Sequence, residues 1–172
     1  MDLIGVLTQK FPNIQFIAED LGYLTPEVRQ LLQESGLPGM KVLQFAFDSR
    51  EAANYLPHTY PRHCVCYAGT HDNSTLMGWK NEADPADIAT AREYLGLNEA
   101  EGFHWGILRG GQSSVADLFV AQMQDYLGLG SESRINVPGV AEGNWRWRME
   151  SGCDTAALAA EIKTLTHTYG RC

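Results

Sequence analysis

Two places in this 172-residue chain put carboxylates where an apolar run ends. The first is Ala18-Glu19-Asp20-Leu21-Gly22, which closes the run Ile14-Gln15-Phe16-Ile17. The second is Thr70-His71-Asp72-Asn73, which follows Cys64-Val65-Cys66-Tyr67-Ala68-Gly69. A strand that buries its apolar residues and then presents acids at its end is building a site. In a parallel α/β barrel such strand ends converge on the C-terminal face, where catalytic groups are assembled. Two carboxylates delivered by separate strands suit acid/base work, most naturally on a glycosidic bond. A plainer reading stands beside each. Glu19 or Asp20 would pair with a Lys or Arg or cap the next helix, and Thr-His-Asp-Asn would be a turn whose Asp and Asn bond their own backbone.

The elements that must position these residues alternate between strand and helix, the pattern of parallel βαβ units. A short helix over 2–10 feeds a strand at 14–18. Thr25 as N-cap, Pro26 at the first helical position and Glu27 against the dipole open the next helix. Leu24, Val28, Leu31 and Leu32 give it one apolar stripe, and Gly36 ends it. Residues 40–47 and 64–69 read as strands, separated by a proline-bearing loop at 54–62. Asp84-Pro85 opens a helix that Gly96 closes. Residues 103–109 and 114–127 read as helical, although 118–124 fits a last strand equally well, because a short apolar run suits both. A C-terminal helix over 154–169 starts with Asp154 as its cap. Residues 1–172 thus read as a single, partial catalytic domain.

Composition narrows the class. With 44% hydrophobic residues the chain can bury one good core, yet a whole (β/α)8 barrel needs about 250 residues. A net charge of −8 argues against a nucleic-acid footprint and against anionic lipid, while a neutral glucan is indifferent to it. The start, Met1 to Leu7, lacks a basic region and a long apolar stretch, so it does not read as a secretion signal. No run reaches the roughly 18 apolar residues of a membrane span. Cys64, Cys66, Cys153 and Cys172 form no secreted disulfide framework, which predicts a reducing, cytoplasmic location. His58, His63, Cys64, Cys66 and His71 lack the spacing of a structural zinc site, so no metal is expected. Cys66 lacks the polarised setting of a nucleophile. Gly110-Gly111-Gln112-Ser113-Ser114 lacks the Gly-Lys spacing of a phosphate loop.

AEDLG (18–22), LTPEV (24–28), GLPGMKVLQFAF (36–47), YAGTHDN (67–73), RINVPG (134–139) and GNWRWR (143–148) together resemble the 4-alpha-glucanotransferases, the amylomaltase or disproportionating-enzyme family. The likeness runs from about Phe16 to Met149. It implies the second half of a (β/α)8 TIM-type barrel, a fragment of an alpha-amylase-like glycosidase barrel. Strands five to eight would then fall near 14–18, 40–47, 64–69 and 118–124. It implies that Glu19 is the general acid/base of a retaining double displacement. That role asks for a carboxyl kept partly protonated, which burial against Phe16 and Ile17 beside neighbouring acids would favour. It implies that Asp72 is a carboxylate gripping sugar hydroxyls as positive charge develops, and that His71 donates to the same sugar. Asp20 and Asn73 join His71 as expected substrate-binding residues, Asp20 as an orienting neighbour of Glu19. Trp79 would line the acceptor groove, and Trp145 and Trp147 are weaker candidates for stacking on sugar.

The family's nucleophilic aspartate lies in an Arg-x-Asp-His segment, and no such segment occurs in these 172 residues. The expected activity is therefore transfer of an α-1,4-glucan segment between glucans, with no cofactor and with the isolated chain inactive. Rival expectations are a related α-glucan hydrolase and a non-catalytic sugar-binding fragment. The expected partners are α-1,4-glucans and maltooligosaccharides, and a second copy of the chain, forming a homodimer through exposed barrel edges.

Overall fold

The computed structural model describes residues 2–48 and 55–171. Three short parallel strands form one sheet: β1 (Gly39–Val42), β2 (Cys64–Tyr67) and β3 (Leu118–Val120), with β2 in the middle. Gly39 lies opposite Cys64, and Val65 lies opposite Leu118. Cys64, Val65 and Cys66 are all buried, which is why β2 reads as a continuous apolar run rather than an alternation. Helices α1 (Asp2–Lys10) and α2 (Pro26–Ser35) precede β1. Between β2 and β3 come α3 (Leu76–Glu82), α4 (Pro85–Leu95) and α5 (Phe103–Gln112); α6 (Met123–Tyr126) and α7 (Ala156–Thr168) follow. The core joins Leu43, Phe47, Cys64, Cys66 and Ala68 to Leu76, Ala91, Phe103, Ile107 and Leu108. The sheet is thus packed chiefly against the helices inserted between β2 and β3.

Local chemistry explains most helix ends. Asp84 accepts from Ala86 N at 2.8 Å ahead of Pro85, and Gly96 leaves α4 at φ 61°. Thr75 accepts from Gly78 N at 3.1 Å and so starts α3 directly behind the acid-bearing loop. Gly111 has a packing reason, because a Cβ there would run into the ring of Phe119 on β3. At α7 the cap is Thr155, which accepts from Leu158 N at 3.1 Å, one residue beyond the expected Asp154. Thr25 gives α2 the extended N-cap backbone but not the cap bond. Its hydroxyl goes instead to Glu27, holding that carboxyl below its usual range.

The expected strands are corrected in three places. Residues 14–18 are extended but not a strand: a single bond, Ala18 N to Pro38 O at 2.9 Å, ties them toward β1. A strand persists only with a ladder, and Ile14 and Ile17 stand 56% and 43% exposed with nothing packed over them. The strand expected over 40–47 stops at Val42 and winds into a 3-10 turn, Leu43–Phe45, which turns Leu43 and Gln44 inward. The ambiguous stretch 114–127 is neither wholly helix nor a strand to 124. β3 ends at Val120, and the single turn of α6 follows. Of the loop expected at 54–62, residue 54 lies outside the described residues, and the rest contains a 3-10 turn at Pro57–Thr59.

Candidate active site

The C-terminal ends of β1 and β2 share a cavity of about 860 Å³. Gln44 and Phe45 enter it from the turn after β1, and Asp72, Asn73 and Ser74 from the loop after β2. Gly22 and Tyr23 bring the turn that carries Glu19 to the same wall, and Trp79 and Arg134 also line the cavity. A cavity of about 930 Å³ opens around Arg171, Gln112 and Asp117, away from every candidate residue. Of these two the smaller is the candidate site, because Asp72, the acid at the end of β2, lines it. In sheets of this kind ligands bind beyond the carboxyl ends of the strands.

The loop at 70–75 is held by groups from three other segments. Gln122 Nε2 donates to Thr70 O at 2.9 Å, and Gln44 Nε2 donates to Ser74 O at 2.8 Å. Asn136 N donates to His71 O at 3.1 Å. Arg134 Nη2 donates to Asp72 O at 2.5 Å. Asn136 Nδ2 donates to Asp72 Oδ1 at 2.6 Å, and His71 Nε2 lies 3.4 Å from the same oxygen. Asp72 is half-exposed, so its carboxylate is oriented without being withdrawn from the cavity. Beneath the loop, Asp125 is 1% exposed and accepts from Leu76 N at 2.7 Å through Oδ1. Its Oδ2 is buried without a partner, and burial pushes the carboxyl up to about 6.

The expected site residues separate into two groups. Glu19 is exposed, and its Oε1 accepts from Leu21 N at 2.8 Å, an Asx-like turn that presents the other end of the group to solvent. The apolar wall expected from Ile17 is itself exposed. Asp20, expected to meet substrate, is instead buried: Oδ1 accepts from Met40 N at 2.5 Å, and a Cβ on Gly39 would meet Oδ2 at 2.7 Å. It substitutes for a missing ladder bond at the start of β1 and braces the Glu19 turn. Asn73 is also turned to structure, since its Oδ1 accepts from Thr70 N at 2.9 Å and Thr70 Oγ1 at 2.8 Å. Trp79 lines the cavity while its other side packs on Phe47 and Phe103, with ring centroids at 6.1 and 5.9 Å. Gln44, Gln122, Arg134 and Asn136 were missed by the sequence reading. RINVPG carried Arg134 and Asn136, but nothing local says that this segment returns to residues 71 and 72.

Among the described residues no group of three His, Cys, Asp or Glu gathers as a metal site. His58 Nδ1 pairs with Tyr94 at 2.9 Å, and His63 bridges Asp117 and Gly36 O. Burial pushes the Cys64 and Cys66 thiols up to about 11 and about 12, the opposite of an activated nucleophile.

Residues 1–154 match the 4-alpha-glucanotransferase family. The chain belongs to that family. It is 46% identical over 173 residues to the 4-alpha-glucanotransferase of Clostridium butyricum, covering all of this chain and 36% of that protein. The Thermus thermophilus 4-alpha-glucanotransferase is 46% identical over 176 residues, covering 98% of this chain and 35% of that protein. The solved amylomaltase of Streptococcus agalactiae, in complex with acarbose, superposes with a TM-score of 0.91 at 33% identity. That match covers 99% of this chain and 34% of that structure. The chain therefore spans about a third of the length of its relatives. Among the described residues no helix is long and apolar enough to cross a membrane.

Proposed function

We propose that this chain carries the acid/base and the transition-state-binding carboxylate of a 4-alpha-glucanotransferase acting on α-1,4-glucans and maltooligosaccharides. The observation that carries the reading is the Asp72 carboxylate, clamped by Asn136 beside His71 on the wall of a cavity that the Glu19 turn also reaches. Glu19 protonates the departing glycosidic oxygen and, once ionised, takes the proton of the incoming sugar hydroxyl. Asp72, half-exposed and fixed by its neighbours, holds sugar hydroxyls more tightly as oxocarbenium character develops. The covalent intermediate belongs on an aspartate outside these residues, so the barrel is completed, and the reaction run, with chain that the relatives possess beyond the matched third.

The test is maltotriose disproportionation by an enzyme assembled from this chain and the remaining two-thirds of the Clostridium butyricum relative. Longer maltooligosaccharides are expected, and Glu19→Gln should lower their formation by about 10²–10⁴-fold. A variant that keeps most of its rate removes Glu19 from the role. Glucose release without longer products would make the enzyme a hydrolase instead.

The isolated chain is proposed to be inactive and to self-associate. Leu118 and Val120 on the outer strand and Ile14 and Ile17 on the other flank leave apolar surface open to water. Light scattering at micromolar concentration should give a mass of at least a dimer, and a clean monomer refutes this. The free Cys64, Cys66 and Cys153 support a reducing, cytoplasmic compartment.

A further inference from the structure

We infer that Trp145 is a sugar-stacking residue that extends the binding site outside the cavity, on the His71 side of Asp72. The inference rests on the functional reading above and deepens it by one subsite. Trp145 is the one described non-glycine residue with a left-handed backbone, at φ 64°. A bulky residue in that region is strained, and such strain persists only where the surroundings enforce it. Here they do. Trp145 N donates to Ile135 O at 2.7 Å, and Arg148 Nη1 reaches back to Trp145 O at 3.1 Å and Trp147 O at 2.7 Å. Asn144 ties the intervening loop by accepting from Val137 N at 2.9 Å and donating to Val140 O at 2.8 Å.

That effort does not bury the indole, which remains 58% exposed. Core packing is therefore not what the strain secures. It aims the ring at His71, with centroids 5.0 Å apart and planes inclined at 39°. The segment that carries Trp145 is also the one that grips the loop after β2, through Arg134 to Asp72 O and Asn136 to Asp72 Oδ1. Trp145 and Asp72 are thus parts of one assembly, and a pyranose whose hydroxyls are held by Asp72 and His71 meets an open aromatic face beside them. The ligand class is a neutral pyranose of an α-1,4-glucan, recognised by its apolar C–H face rather than by charge. An indole is suited to that surface because its ring is broad, apolar and already fixed.

The experiment is a titration of the full chain with maltotetraose, followed through the indole N–H resonances of Trp79, Trp105, Trp145 and Trp147, with Trp145→Phe assigning its own signal. The Trp145 signal should move saturably. Trp145→Gly should weaken binding by about three- to tenfold, the range expected for one aromatic contact. Glycine accepts φ 64° without strain, so this variant keeps the loop while deleting the ring, and its thermal unfolding should be no lower than that of the parent. Trp145→Phe should restore most of the affinity. If other signals move while that of Trp145 does not, and Trp145→Gly binds as tightly as the parent, the residue only packs on His71 and the inference is overturned while the glucan site stands. If no signal moves and no binding is found, the glucan site itself is overturned, and this inference with it.

Discussion

The rim above β2 and the flank beside 14–18 solve the same problem in opposite ways. In both, backbone leaves the sheet and its polar groups need partners. On the rim the loop is met from elsewhere in the chain by four side chains and one backbone N–H: Gln122 to Thr70, Arg134 to Asp72, Gln44 to Ser74, Asp125 to Leu76 and Asn136 N to His71 O. Thr70 N and Asp72 N find acceptors within the loop. On the flank one backbone bond and the Asp20 carboxylate do what a strand ladder would otherwise do. The groove beside it, lined by Ile14, Phe16, Ile17, Cys64 and Leu118, is apolar and open, at about 600 Å³. The rim carries its own shape, whereas the flank is an unfinished surface. The chain therefore holds Asp72 in place through its own contacts, whatever covers the flank.

The sharpest blow to the rim is a change that keeps its shape and removes its charge. Asp72→Asn preserves an acceptor for Asn136 and abolishes the negative charge. In the assembled enzyme, turnover should fall by about 10²–10³-fold, with a much smaller rise in KM, because the lost interaction strengthens only as charge develops. Steady-state kinetics on maltotriose decide it. A rise in KM with unchanged turnover would reduce Asp72 to a ground-state anchor.

How much of this was legible depended on whether the cause was local. Pro26 with Gly36, and Asp84-Pro85 with Gly96, mark their helices because a cap or a left-handed residue acts within one turn. The acids after 14–18 and 64–69 stand out in the sequence because apolar runs point to them, and of these Asp72 lies on the cavity wall. What could not be read is what depends on return contacts across the chain. Residues 14–18 look like a strand and lack the neighbour that would make them one. Asp20 looks like a catalytic neighbour and is spent on Met40, twenty positions away. Asn136 and Trp145 meet Asp72 and His71 only because the chain folds back over more than sixty residues. Asp125 sits in the plain stretch Met123-Gln124-Asp125-Tyr126, where no spacing reveals that it is buried under α3.

Asp125 gives the next, smaller test of the rim. Its folded carboxyl titrates near 6 against 3.8 ordinarily, because burial penalises the charge. The folded state therefore binds the proton more tightly, and stability contributed by this group falls as pH rises from about 4 to about 6. The full effect is up to about 3 kcal/mol. Asp125→Asn keeps the acceptor for Leu76 N and removes the ionisation. It should raise stability at pH 7 and flatten the stability profile between pH 4 and 6. Urea unfolding at several pH values measures both, and a profile unchanged from the parent would show that Asp125 does not carry the charge penalty.

The smallest effect belongs to the flank, where His63 is the polar stitch. Its Nδ1 lies 3.2 Å from Asp117 Oδ2 and its Nε2 lies 3.1 Å from Gly36 O, joining the end of α2 to the start of β3. Both partners accept, so only the doubly protonated ring can donate to both. The bond to Asp117, then that to Gly36 O, raises the imidazole above its usual range, and Arg62, 3.5 Å from the other Asp117 oxygen, shares the same carboxylate. The stabilisation is complete below the ordinary histidine value and is lost as pH rises through the raised one. It thus acts in a higher window than that of Asp125. His104, half-buried and shifted downward chiefly by burial, works in the other direction, so the bare profile is a sum. The informative quantity is the difference between the parent and His63→Gln. Between pH 6 and 8 the parent should lose slightly more thermal stability than the variant. Because the pair is exposed, about 0.5 M salt should erase that difference while leaving the Asp125 effect in place. Identical losses in the two proteins at low salt would mean that His63 stitches nothing, and that the flank is held by α2 and β1 alone.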